Sequence, residues 1–338
     1  MAFRRIAVEE AFVTAEIMAE WQKVLARGDV EPGFAKMGET ILAPTPANKV
    51  LDDRLLDIGP GRIAHMDDIG VDMQILSLTS PGVQVFDAAL ATRLAAASND
   101  ALTAAVKAYP TRFAGLAAVA PQDPAAAVRE IERAAGLLGL NGLIINSHTM
   151  GEYLDAARYR PILEAAESLG MAIYLHPREP APSMVTPYLD YGLFFAGWGF
   201  AAETGLHAMR LIMSGTFDRF PKLKIVLGHM GEGIPFWLQR IDNRYLLEVK
   251  IGMVKKMPKL PSEYFLENFV ITTAGVTSMP ALRLSLDELG SERILFAADY
   301  PYEDDAEGVR FMDEATISEA ERQQIYETNA VRVFRLKA

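Results

Sequence analysis

The sequence predicts one (β/α)8 TIM barrel spanning residues 1–338, and three observations carry that expectation. Short apolar runs of strand length recur eight times along the chain. Amphipathic, helix-like segments follow most of them. No glycine-rich phosphate loop follows the first run, and "GPGR" at 59–62 is not a strand-to-helix fingerprint, which weighs against a doubly wound open sheet. Continuous apolar runs suit strands buried on both faces of a parallel sheet. Eight such units in one chain close most simply into a barrel.

Taken in order, the predicted strands are 5–8, 73–78, 114–119, 143–145, 172–175, 224–227, 269–272 and 294–296. The helix-like segments are 90–108, 124–138, 160–169, 201–217, 234–249, 279–289 and 305–313. About sixty residues separate the first two strands, which is long for a connection in such a fold. Residues 13–65 therefore read as an insertion that covers the barrel mouth or builds a subunit contact, with the proline-rich "LAPTPANK" at 42–49 extended. The C-terminal "SEAERQQIYETNAVRVFRL" is amphipathic and is expected to pack on the outside of the barrel. No Pro/Gly/Ser-rich linker divides the chain and no internal repeat is evident.

Composition narrows the function classes. With half of its 338 residues apolar and 23% charged, the chain has a globular make-up and ample length for a core. A formal charge of -11 argues against nucleic acid or an anionic membrane as partner. The absence of cysteine excludes disulfides, thiol catalysis and cysteine-based metal sites. The N-terminal "MAFRRIAVEEAF" lacks a signal-peptide core, and no apolar run approaches a membrane span, so the cytoplasm is the expected location.

Function in a barrel collects at the C-terminal ends of the strands. Strand one ends in "AVEEAF" with Glu9 and Glu10, strand four in "INSHT" with Asn146 and His148, and strand five in "IYLHPR" with His176. Strand six ends in "VLGHMGE" with His229 and Glu232, and strand eight in "FAADYPYE" with Asp299 and Tyr302. A lone histidine after a strand is most often a hydrogen-bonded structural residue, and a lone "DYP" is often a turn. Four titratable groups converging from strands one, five, six and eight are harder to assign to packing, because uncompensated buried carboxylates are costly. A divalent cation offsets that cost, and Glu9, His176 and Asp299 supply one nitrogen and two oxygen ligands. Glu10 is expected to face the other way, since neighbours on a strand alternate. His65 and His207 fall in helix-like stretches and read as structural, and His148 is left outside the ligand set.

These strand ends resemble the amidohydrolase superfamily, and within it the nonoxidative aromatic acid decarboxylases of the γ-resorcylate and 5-carboxyvanillate type. The likeness runs nearly end to end, through "LLDIGPGRIAHMDDIGVDMQILSLTSPGVQ", "VAPQDP", "INSHT", "GFAAETGLHAMRLIMSG", "GHMGEGIPFWLQRID" and "RILFAADYPYE". The resemblance implies that Glu9, His176 and Asp299 bind one metal, with His229 beside it steadied by Glu232. It further implies that Phe200 packs on the substrate ring and that Tyr302 and Arg240 line or complete the site. Strand one reads Glu9-Glu10-Ala11 where many relatives carry a second histidine, and strand four has no lysine to bridge two metals. One ion is therefore expected, manganese ahead of zinc for an oxygen-rich set with open positions. "HPRE" at 176–179 resembles the resorcylate enzymes, while the arginine of carboxyvanillate enzymes ahead of "RLLD" has no match, Lys49 being the nearest stand-in.

The implied reaction is decarboxylation of an ortho-hydroxy aromatic carboxylate. The substrate chelates the metal, Asp299 protonates the ring carbon and CO2 departs. A metal-dependent hydrolase of lactonase or amidase type, or a hydratase, using metal-bound water is the alternative. The expected partners are a small aromatic acid and further copies of this chain, as a dimer or tetramer. Arg240 lies about eight residues into its helix, roughly 12 Å along the axis, too far to reach its own pocket easily. It is expected to serve a neighbouring subunit or to form a structural ion pair. The loop after strand five carries Tyr188, Tyr191, Phe194, Phe195, Trp198 and Phe200, suited to core, interface or a flat aromatic ligand.

Overall fold

Eight strands pair in sequence order, each parallel to the next. They are β1 (Ile6–Phe12), β2 (Met73–Leu78), β3 (Phe113–Ala118), β4 (Gly142–Asn146), β5 (Ala172–His176), β6 (Ile225–Leu227), β7 (Phe269–Thr272) and β8 (Ile294–Leu295). The computed structural model describes residues 3–337. The ring closes where the Val8 N–H donates to the Phe296 carbonyl at 3.1 Å, joining β1 to the end of β8. Every residue of these strands is buried except His176, the last of β5, which is partly open. That pattern is the reason the runs read as continuously apolar: both faces are covered, so no alternation is required.

One irregularity matters for the site. Along β1 the partners run Ala7 to Gln74 and then Glu10 to Leu76, so three steps on β1 match two on β2. The extra residue is a β-bulge. It lets Glu9 and Glu10 both be buried, at 2% and 0% exposure, while serving different partners. Glu10 turns away from Glu9's surroundings, as alternation predicts, and accepts from the Ala298 N–H at 3.0 Å and Gln74 Nε2 at 3.1 Å.

The long insertion is largely helical. Residues 13–69 form α1 (Ala15–Arg27), α2 (Pro32–Glu39), α3 (Pro46–Leu56) and α4 (Pro60–Ile69). The expectation of an extended 42–49 fails at Pro46, which starts α3 instead of preventing it. A proline at the first helical position has no N–H to satisfy and its φ is already helical. Thr45 caps the same turn, its side chain accepting from the Asn48 N–H at 3.1 Å. The predicted helix 124–138 ends its α-helical part at Arg133 and continues as one π turn, Ala134–Leu138. The predicted helix 201–217 starts at Gly199 and breaks after Met213. The C-terminal segment docks on the barrel wall through buried Ile325, Tyr326, Ala330 and Phe334, and the Ile325 carbonyl accepts from the Phe296 N–H at 2.9 Å. Among the described residues no helix is long and apolar enough to cross a membrane.

Candidate active site

The strand ends converge as the sequence predicts. One ligand atom each from Glu9, His176 and Asp299 lies within 4.8 Å of the others. Glu9 Oε1 is 3.5 Å from His176 Nε2 and 3.6 Å from His229 Nε2. His229 Nε2 is also 3.6 Å from Asp299 Oδ2. The three come from β1, the end of β5 and the segment after β8, with His229 just after β6.

Local backbone holds two of these side chains in unusual conformations. Asp299 has φ of +62°, and His229, Met230 and Glu232 have φ of +50°, +55° and +54°. With Gly231 at +74° and Gly233 at +77°, residues 229–233 form a left-handed turn. The sequence suggests an ordinary helical turn between His229 and Glu232. The structure reaches the same contact through a turn of opposite hand, and His229 Nδ1 donates to Glu232 Oε1 at 2.8 Å. Non-glycine residues in this region cost of order 1–3 kcal/mol each and cluster at functional sites. Gly228 is required by proximity: a Cβ there would stand 2.8 Å from Glu9 Oε1.

Hydrogen bonding leaves this group short of a positive charge. Glu9 Oε2 accepts from Tyr174 and, at 2.9 Å, from Thr272, whereas Glu9 Oε1 is buried without a partner. His176 Nδ1 donates to the Pro177 carbonyl at 2.8 Å, so the Nε2 lone pair faces that same oxygen. Two lone pairs confronting each other at 3.5 Å repel unless a cation lies between them. Burial pushes the Glu9 carboxyl upward, with His229 opposing and Asp299 adding to the shift. Burial also lowers the His176 imidazole to about 4, which keeps it neutral and able to ligate. His229 behaves oppositely: burial disfavours its charge, but the negative charges of Glu232, Glu9 and nearby Asp299 hold its pKa well above the ordinary value. The donor set of one imidazole and two carboxylates fits a divalent ion of borderline to hard character.

Above the group lies a cavity of about 280 Å³. His176, His229 and Asp299 line its floor, Phe195 and Phe200 one wall, and Met37, Leu42, Asn48 and Leu51 of the insertion line it too. Phe200 is 8% exposed and meets Phe195 edge to face, with centroids 4.8 Å apart. Tyr302 lines the same cavity and its hydroxyl shares a 2.6 Å hydrogen bond with Thr79 Oγ1. Burial raises the Tyr302 phenol pKa, so it stays neutral.

Arg240 does not line the cavity of its own chain, as its distance along the helix leads one to expect. It lies exposed on the helix Ile234–Lys250 and lines a separate surface groove with Trp198, Phe236 and Trp237. Among the described residues it has no ion-pair partner, which removes the structural ion pair as its explanation. Lys49 turns outward to Asp53 at 2.8 Å and its side chain is 72% exposed, so it does not stand in for an arginine in the cavity. The other histidines are tied into the scaffold: His65 to Asp305 at 2.7 Å, His148 to the Glu179 carbonyl at 3.1 Å and His207 to Ser147 Oγ at 3.1 Å.

Sequence reasoning missed Tyr174 and Thr272, which orient Glu9. Tyr174 was within reach, because it precedes His176 by two on the same strand and therefore shares its facing. The lining residues of the insertion carried no such signal, since a helix placed over a barrel mouth has no fixed register to the strands.

Comparison with known proteins identifies the family. The amidohydrolase family profile matches residues 45–336. A γ-resorcylate decarboxylase from Polaromonas sp. is 38% identical, over 98% of this chain and 98% of its own. The crystal structure of 5-carboxyvanillate decarboxylase from Sphingomonas paucimobilis superposes with a TM-score of 0.96 at 46% identity, over 99% of this chain and 100% of that one. A dihydroxybenzoic acid decarboxylase from Polaromonas sp., with bound manganese and the inhibitor 2-nitroresorcinol, gives a TM-score of 0.86 at 36% identity, over 100% of this chain and 98% of that one. The chain belongs to the amidohydrolase family, in the branch that holds the γ-resorcylate and 5-carboxyvanillate decarboxylases.

Proposed function

We propose that this protein is a metal-dependent, nonoxidative decarboxylase of an ortho-hydroxy aromatic carboxylate. The observation that carries the reading is the unpartnered Glu9 Oε1 facing His176 Nε2, below a cavity walled by Phe195 and Phe200. Glu9, His176 and Asp299 hold one divalent ion, manganese by analogy with the dihydroxybenzoic acid decarboxylase that contains it. When bound, that ion holds the substrate's carboxylate and ortho oxygen in register and offsets their charge. The remaining work falls to side chains. Tyr174 and Thr272 fix Glu9 through Oε2. Phe200 packs on the aromatic ring, and Tyr302 borders it.

Direct loss of CO2 would leave an aryl carbanion, so the ring must be protonated first. Asp299, moving between its roles as ligand and as protonated acid, delivers a proton to the carbon bearing the carboxylate. The carbon–carbon bond then breaks, its electron pair restores the aromatic ring, CO2 leaves, and Asp299 regains a proton from solvent. His229, fixed by Glu232, donates from Nε2 toward the phenolic oxygen as charge returns there. Acid assistance of this kind contributes about 10² to 10⁴ in rate, and orientation contributes more.

A second part of the reading concerns assembly. Trp198, Phe236 and Trp237 are 61%, 66% and 49% exposed around Arg240, an apolar face of the kind that covers a neighbouring subunit. In this reading the chain is a homo-oligomer and Arg240 acts at a neighbour's cavity. The test is incubation of the manganese-loaded protein with a panel of ortho-hydroxybenzoates, alongside its mass in solution. CO2 release from an oligomer supports the reading. Hydrolysis of lactones without CO2 contradicts the chemistry, and a fully active monomer contradicts the role of Arg240.

A further inference from the structure

Away from the cavity, a cluster of buried charge lies in the loop after β5. Arg178 is 0% exposed and Glu179 1%. Arg178 donates from Nη2 to Glu31 Oε2 at 2.6 Å and to Glu179 Oε1, and from Nη1 to the His148 carbonyl at 3.2 Å. His148 accepts from the Gly151 N–H and donates to the Glu179 carbonyl, each at 3.1 Å, which holds the far side of the loop. Glu31 is the residue before α2, 147 positions away from Arg178. In the first turn of α2, Gly33 lies so close over Glu179 that a Cβ would come within 2.2 Å of its Cγ. The same helix carries Met37, which lines the cavity, and the chain beyond it supplies Leu42 and Leu51. One buried guanidinium thus ties the start of the insertion's roof to the loop that begins at His176.

Stability alone is a poor explanation for this cluster. Desolvation offsets most of the attraction within a buried ion group, and apolar residues of equal volume often serve a fold as well. Glu31 Oε1, Glu179 Oε2 and Arg178 Nε have no hydrogen-bond partner, so the group is not optimised as a polar network. What a forked guanidinium supplies is direction.

We infer that Arg178, with Glu31 and Glu179, is a positioning residue that fixes α2 over the cavity and thereby sets the affinity for the aromatic acid without touching it. The kinetic readout rests on the function proposed above; the exchange readout does not. The test compares the manganese-loaded full chain with Glu31→Gln, which keeps the Arg178–Glu179 pair, and with Gly33→Ala, which pushes on the clasp from the other side. In both variants KM for the hydroxybenzoate rises about tenfold, kcat stays within about twofold, and manganese affinity is unchanged. Amide hydrogen exchange across 32–56 accelerates while that of β5 does not. A lowered melting temperature with unchanged KM and unchanged exchange overturns the inference, and so does loss of folding in both variants. If the parent protein turns over no hydroxybenzoate, the proposed function fails while the exchange comparison still decides the role of the clasp.

Discussion

His229 illustrates how a single residue is prepared for a task. Its Nδ1 is committed to Glu232, and its Nε2 faces two carboxylates at 3.6 Å each. Those negative groups outweigh the burial that would otherwise strip its proton. Replacing it with asparagine removes the imidazole and leaves Glu9, His176 and Asp299 in place. His229→Asn is therefore expected to keep metal content near normal and to lower kcat by about 10² to 10⁴, measured by elemental analysis and steady-state rates. Unchanged turnover would remove His229 from the mechanism. At this scale the sequence was most legible where chemistry forces the residue type: two acids and two histidines after apolar runs. It was least legible for Arg240, because reach from a helix depends on which molecule the helix faces.

Elements set the geometry that residues exploit. The left-handed run from His229 to Gly233 aims the imidazole inward where a right-handed turn would rotate it away. Gly231 sits in that run at φ of +74°, and a Cβ there would approach Ile271 Cγ2 to 2.8 Å. Gly231→Ala is accordingly expected to destabilise the fold by about 1–3 kcal/mol, read from the midpoint of urea unfolding, and to lower turnover together with stability. The strands were readable in the sequence because burial on both faces demands unbroken apolar runs. The handedness of this turn was not, since glycine at 228, 231 and 233 permits several backbones and only packing against Glu9 and Ile271 selects one. The stretch 42–49 was misread for a related reason. Prolines 46 and 60 stand at helix starts, where they favour the structure they break elsewhere.

At the scale of the whole molecule, the scaffold is expected to lose stability in acid. His207 is fully buried, its Nε2 accepts from the Leu154 N–H at 2.9 Å, and burial followed by nearby Arg210 lowers its pKa to about 3. The unfolded chain takes up that proton near pH 6.5 while the folded one refuses it. Stability is thus complete above pH 6.5 and falls as the pH drops from there toward 3, by at most about 1.4 kcal/mol per pH unit from this group. Melting temperatures between pH 7 and 4 should show that slope, and His207→Gln should flatten it; an identical slope in the variant would discount His207. Barrel closure itself was legible from the count of units alone, because eight parallel strands with covered faces leave few alternatives. The cavity was not, because its walls come from an insertion and a loop that no strand period governs.

The proposed metal centre joins β1, β5 and the segment after β8 around one divalent ion. Anomalous diffraction from crystals grown with manganese tests it most directly. One strong manganese peak per chain is expected, bounded by Glu9, His176 and Asp299, and it should disappear in His176→Ala. A peak bound elsewhere, or a fully active enzyme without one, would contradict it.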